Sequence, residues 1–105
     1  MYKKGEKMSQ YNLELGKSYV EKELASKELK HLKVTIRGKN IVIYSEYEKE
    51  KENRCRFTQI NPRLYIMNMA DHTGKWESTP FEDGLEELLK MVMEQFPWVL
   101  ADYEM

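Results

Sequence analysis

Cysteine occurs once in this chain of 105 residues, at Cys55. A single thiol excludes a disulfide framework and the paired-thiolate ligand sets of structural zinc sites. Histidine occurs twice, at His31 and His72, forty-one positions apart. That separation leaves no short histidine motif, and no metal site is expected. Three prolines and five glycines are too few for a collagen-like or low-complexity chain. No apolar run approaches the ~20 residues that a membrane helix needs, and the first residues lack an apolar segment of the secretory kind. HExxH, GxGxxG, GxxxxGK[ST] and GxSxG are all missing. These absences predict a cytoplasmic protein with no cofactor and no membrane partner, and they put an enzyme third among the readings of its function.

Basic residues are scarce at one end. Positions 77–105 hold one lysine and eight acidic residues, a balance of −7, while positions 1–76 hold sixteen Lys/Arg against ten Asp/Glu, a balance of +6. The formal net charge of −1 therefore hides a division. Either the acidic end lies against basic strands or the two charges mark separate binding faces.

What is present is dominated by residues 79–96, TPFEDGLEELLKMVMEQF. Phe81, Leu85, Leu88, Leu89, Val92 and Phe96 recur at helical spacing, with Glu82, Asp83, Glu86, Glu87, Lys90 and Glu94 on the other side. Thr79 fits an N-cap, Pro80 the first helical position and Glu82 the third residue of a capping box. Pro97 ends the helix, because the residue before a proline is steered out of the helical region. Gly84 is the weak point, costing about 1 kcal/mol relative to alanine. Such an amphipathic helix needs a surface to pack on.

The preceding residues read as that surface. Positions 1–8 are expected to be a disordered leader, with Met8 as the native start. Residues 12–27 read as a charged helix with a narrow seam of Leu13, Val20 and Leu24 around Gly16, or as a shorter helix beginning near Tyr19. Residues 32–37 alternate apolar and polar, and Gly38-Lys39 suits a type II′ turn that sets Ile36 opposite Ile41 and Val34 opposite Ile43. A second strand over 41–46 leads into a charged loop, 48–52. A third strand, 54–60, sets Cys55 and Phe57 against Arg54, Arg56 and Thr58. Asn61-Pro62-Arg63 turns the chain so that Phe57 faces Met67, Cys55 faces Met69 and Thr58 faces Ile66. The fourth strand is 64–69. Asp71 to Gly74 forms another turn, and 75–78 adds a short fifth strand. Trp98, Val99 and Leu100 are expected to fold back on the core.

The predicted fold is α+β: a single domain over 9–105, helix, four- or five-stranded antiparallel meander, helix, with both helices on one face of the sheet. No catalytic residues are assigned. Cys55 alternates with Phe57 and so reads as an inert core thiol, and the Asp71-His72-Thr73-Gly74-Lys75 stretch reads as a turn. Two surfaces remain. Met91, Met93, Trp98, Leu100 and Tyr103 form a candidate protein interface, for a homodimer or a protein partner. Lys33, Arg37, Arg54 and Arg56 form a candidate nucleic-acid surface on the outer sheet face, which a pI near 6.1 disfavours. The leading expectation is a small non-catalytic interaction or regulatory protein.

Overall fold

The computed structural model describes residues 5–102, with side chains from Leu13 onward. In chain order the elements are α1 (Gly5–Ser26), β1 (Leu32–Arg37), β2 (Asn40–Tyr47), β3 (Glu50–Asn61), β4 (Leu64–Ala70), β5 (Trp76–Asp83), α2 (Leu85–Gln95) and a 3-10 turn, η1 (Pro97–Leu100). The five strands pair antiparallel in sequence order, so the expected α+β meander is the fold. α1 is longer than residues 12–27. Its backbone is already helical at Gly5, within the stretch expected to be disordered, and Tyr19 lies well inside it.

Hairpin chemistry sets the registers. At Gly38 φ is +62°, while Lys39 is not among the residues of positive φ, the pattern of a type II′ turn. Ile36 then faces Ile41, and Val34 faces Ile43. In the third hairpin Phe57 faces Met67, Cys55 faces Met69 and Thr58 faces Ile66, as the apolar alternation predicts. Asn61 Oδ1 accepts the Arg63 N–H at 2.9 Å and closes that turn.

Two rows of apolar side chains result, Val34–Ile43–Cys55–Met69 and Ile36–Ile41–Phe57–Met67, on one face of the sheet. Both helices cover that face. Leu13, Val20 and Leu24 of α1 and Leu88, Leu89 and Val92 of α2 are buried in one cluster with Ile41, Ile43, Phe57 and Met67. Each such aliphatic side chain contributes roughly 1.5–3 kcal/mol of burial. α1 passes close to the core at Gly16, where an added Cβ would lie 2.8 Å from Ile41 Cδ1 and 2.9 Å from Leu85 Cδ2.

Three local expectations are corrected. Residues 48–52 are not a loop: Glu48 and Lys49 alone form the turn, both at positive φ (51° and 72°), and Glu50–Asn53 begin β3. Two successive positive φ values make a type I′ turn, whose twist matches the flanking strands despite the cost to non-glycine residues.

Thr79 is not a helix cap. Its hydroxyl donates to the Met67 carbonyl of β4 at 2.7 Å and accepts the Phe81 N–H at 3.2 Å, which holds residues 79–83 in β5. The helix begins at Leu85 with Gly84 as an extended N-cap (φ −66°, ψ 160°). The Thr-x-x-Glu pattern and the spacing from Phe81 to Leu85 suit a helix, but strand pairing satisfies more of the same groups.

Arg54 is not on the outer face. The β2–β3 register slips between Ile43 and Tyr44, since Ile43 faces Cys55 while Tyr44 faces Asn53. Arg54 is the extra residue of this bulge, and it turns inward beside Cys55 with only 4% of its surface exposed.

Candidate functional site

The inward turn of Arg54 builds a polar contact between the sheet and the segment after α2. Its Nη1 donates to the carbonyl oxygens of Val99 at 3.0 Å and Ala101 at 2.6 Å, and its Nε donates to Ser45 Oγ at 3.2 Å. Glu52, two residues away on the same strand, lies 3.9 Å from Nη2. A second group holds the same segment. His31, in the connection between α1 and β1, has Nε2 2.8 Å from the Leu100 carbonyl oxygen, and its Nδ1 is 4.0 Å from Asp102. That connection is shaped by Glu28 at φ 61°, with Leu29 N–H bonded to Leu24 O and Glu28 N–H to Ala25 O, a Schellman-type ending to α1. Arg54 and His31 together clasp three consecutive carbonyls, those of residues 99, 100 and 101.

The clasped segment presents an aromatic ledge. Phe96 packs against Phe81 of β5 with ring centroids 5.7 Å apart, and Trp98 meets Phe96 edge-on at 5.6 Å and 84°. Phe81 and Phe96 are half-buried, while Trp98 is 60% exposed. Pro97 opens η1, and the tight 3-10 turn sends Leu100 inward to 3% exposure while Trp98 points out. Trp98 therefore does not fold back on the core as expected.

The residues predicted for a protein interface divide accordingly. Trp98 is the exposed tip. Leu100 is a core residue and offers no contact surface. Met91 and Met93 are half-buried against the core. They stand two positions apart, about 200° around α2, so they flank opposite sides of it. Met93 lines a groove between the helices with Tyr19, Glu23, Glu86, Lys90 and Glu94. Tyr103 lies outside the described residues. Phe81, Phe96, His31 and Arg54 were not predicted here. Phe81 and Phe96 were visible in sequence only as helix-stripe residues, and nothing in the sequence marks the bulge that redirects Arg54.

Of the predicted nucleic-acid residues, Lys33, Arg37 and Arg56 share the outer face and Arg54 does not. Lys33 Nζ pairs with Glu46 at 3.2 Å. The Arg56 guanidinium stacks 4.7 Å from the Trp76 ring centroid, and its Nε donates to Asn68 Oδ1 at 3.0 Å. Lys51 Nζ lies 5.3 Å over the Tyr44 ring. Glu82 of the acidic end lies on this face, opposite Ile66, while Glu86, Glu87 and Glu94 stand on α2, which packs on the other face.

The remaining chemical groups stand apart from one another. Burial pushes the Cys55 thiol up to about 12, partly countered by Arg54. His72 sits on the exposed β4–β5 turn. Asp71 organises that turn, its Oδ1 accepting the Thr73 hydroxyl and the Thr73 and Lys75 N–H groups. Those bonds hold its carboxyl below the usual range, the Thr73 hydroxyl most of all. Among the described residues no three His, Cys, Asp or Glu side chains converge as a metal site, and no helix is long and apolar enough to cross a membrane. Set against protein-family models, curated proteins and solved structures, the chain matches none of them.

Proposed function

We propose that this chain is a non-catalytic protein-interaction module that engages a partner through the Phe81–Phe96–Trp98 ledge. The observation that carries the reading is a tryptophan 60% exposed at the tip of a segment whose backbone is held by a buried arginine. A flexible tail would lose much of its contact energy to ordering. A clasped one presents its aromatic surface already in place. Tryptophan is enriched among the residues that dominate interface energetics.

The charge of this end of the chain selects the partner. Positions 77–105 balance at −7, and Glu86, Glu87 and Glu94 lie exposed along α2. A twofold contact between two copies would bring these carboxylates together, and like charges across an interface are costly. The favoured occupant is a different protein, with an apolar pocket rimmed by lysine and arginine. The cytoplasm is the compartment we propose, consistent with a lone buried thiol.

Light scattering on the pure protein at micromolar concentration tests this choice of occupant. The mass of one chain is expected for both the wild type and Trp98→Ala. A dimer dissolved by Trp98→Ala would put a second copy on the ledge. A dimer indifferent to Trp98 would point to another surface and contradict the proposal.

A further inference from the structure

The sheet has a second face that neither helix covers. Strand alternation and pairing put Lys33, Arg37, Tyr44, Lys51, Arg56 and Trp76 on it. Four cations, Lys33, Arg37, Lys51 and Arg56, stand there against two carboxylates, Glu46 and Glu82. The net charge of −1 for the whole chain therefore misrepresents this face, because the acidic excess lies in positions 77–105.

Its two aromatic rings are set in a particular way. Tyr44 pairs with Asn53, and Trp76 pairs with Ala70. The bulge that removes Arg54 inward leaves Asn53 and Ala70 as the outer-face side chains between them. Tyr44 and Trp76 thus flank a low strip across β3 and β4, about 14 Å wide at three strand spacings. Each ring carries a cation against its face, Lys51 at 5.3 Å and Arg56 at 4.7 Å. Asn68, which accepts from Arg56, supplies a polar group in the neighbouring row, and Asn40 and Thr58, bonded to each other, do so one row further on.

We infer that this outer face binds single-stranded nucleic acid, with bases stacking at Trp76–Arg56 and Tyr44 and phosphates meeting Lys33, Arg37 and Lys51. An open sheet bearing aromatic rings between cations matches the two demands of a single strand, a π surface for each base and positive charge along the backbone. A duplex fits poorly, since its bases are already stacked and its grooves call for an inserted helix or ribbon. This site lies on the opposite side of the sheet from the helices and is independent of the ledge.

The experiment is fluorescence anisotropy of labelled single-stranded RNA and DNA oligonucleotides, with tryptophan emission recorded in parallel. Binding is expected with quenching of Trp76. It should weaken about 20-fold between 50 and 200 mM salt, for about three phosphates each contributing a slope of about −0.7. Trp76→Ala should weaken it at least about fivefold. Lys51→Glu, an exposed substitution that leaves the core untouched, should weaken it as well, while Trp98→Ala should leave it unchanged. Absence of binding at low salt overturns the inference. So does binding that heparin competes away at equal strength with no tryptophan quenching, which is charge attraction alone. The ledge proposal stands or falls separately, on partner binding lost in Trp98→Ala.

Discussion

Arg54 Nη1 lies 2.6 Å from the carbonyl oxygen of Ala101, forty-seven residues away in sequence. The contact joins a bulge in the middle of the sheet to the segment that carries Trp98. An arginine with 4% exposure needs every donor directed at an acceptor. Backbone carbonyls left open by the short η1 turn meet that need.

Replacing Arg54 with methionine keeps most of the stem and removes the donors. Hydrogen bonds from a charged donor contribute about 1.5–3 kcal/mol each, and the orphaned carbonyls add a penalty. Removing the buried charge also removes its desolvation cost, so Arg54→Met is expected to lose less than that sum, about 2–4 kcal/mol in urea unfolding. Amide exchange at Val99 and Ala101 should speed up more than exchange in β3. Unchanged exchange there would mean that the clasp does not hold the segment.

Trp98 and Leu100 should behave oppositely. Trp98→Ala removes a side chain already 60% exposed and should cost under ~1 kcal/mol. Leu100→Ala empties a buried site and should cost about 2–5 kcal/mol. Equal losses in thermal or urea unfolding would contradict the placement of the two residues.

The β2–β3 turn is open to improvement. Glu48 and Lys49 occupy positive φ without being glycine or asparagine. Glu48→Asn with Lys49→Gly supplies the preferred type I′ pair and should stabilise the protein by about 0.5–1 kcal/mol, measured by the urea midpoint. A destabilised double variant would mean that the turn is of another type.

Cys55 should be chemically silent. With its thiol pushed to about 12 by burial, no thiolate is available near pH 8. A disulfide reagent should leave the native protein untouched and titrate one thiol after denaturation. Rapid modification of the native protein would contradict its place in the core.

Asp71 should shape the acid limb of stability. Its carboxyl is held low by Thr73 and Lys75. Its stabilising effect is therefore complete above the ordinary carboxylate range near about 3.9 and is lost as pH falls through the lower folded value. Asp71→Asn should lose stability at neutral pH and flatten that part of the limb, read from thermal midpoints across acidic pH.

The β1–β2 and β3–β4 registers were legible because two independent signals agreed in each of those hairpins. Gly38 fixed one turn and Asn61-Pro62 another, and in both cases the apolar alternation chose the same pairing. The start of α2 was ambiguous, because Thr79 and Glu82 have the spacing of a capping box. The decision lay in a contact between Thr79 and Met67 that no local pattern contains. The fate of Arg54 was hidden for a related reason. Period-2 alternation puts it on the outer face, and one inserted residue without a glycine to mark it reverses that. The same bulge removed a cation from the predicted nucleic-acid surface and created the clasp beneath the ledge. Trp98 was visible as an apolar residue near the end of the chain, but which of Trp98 and Leu100 turned inward depended on the 3-10 geometry after Pro97.

A photo-crosslinking residue placed at position 98 in the native host cell tests the central claim most directly. Position 47, where Tyr47 is 54% exposed beside the β2–β3 turn, serves as the control. The account predicts a discrete adduct with one basic protein from position 98 and none from position 47, lost when Glu87 and Glu94 are reversed to lysine. No adduct from position 98, or the same adducts from both positions, would contradict it.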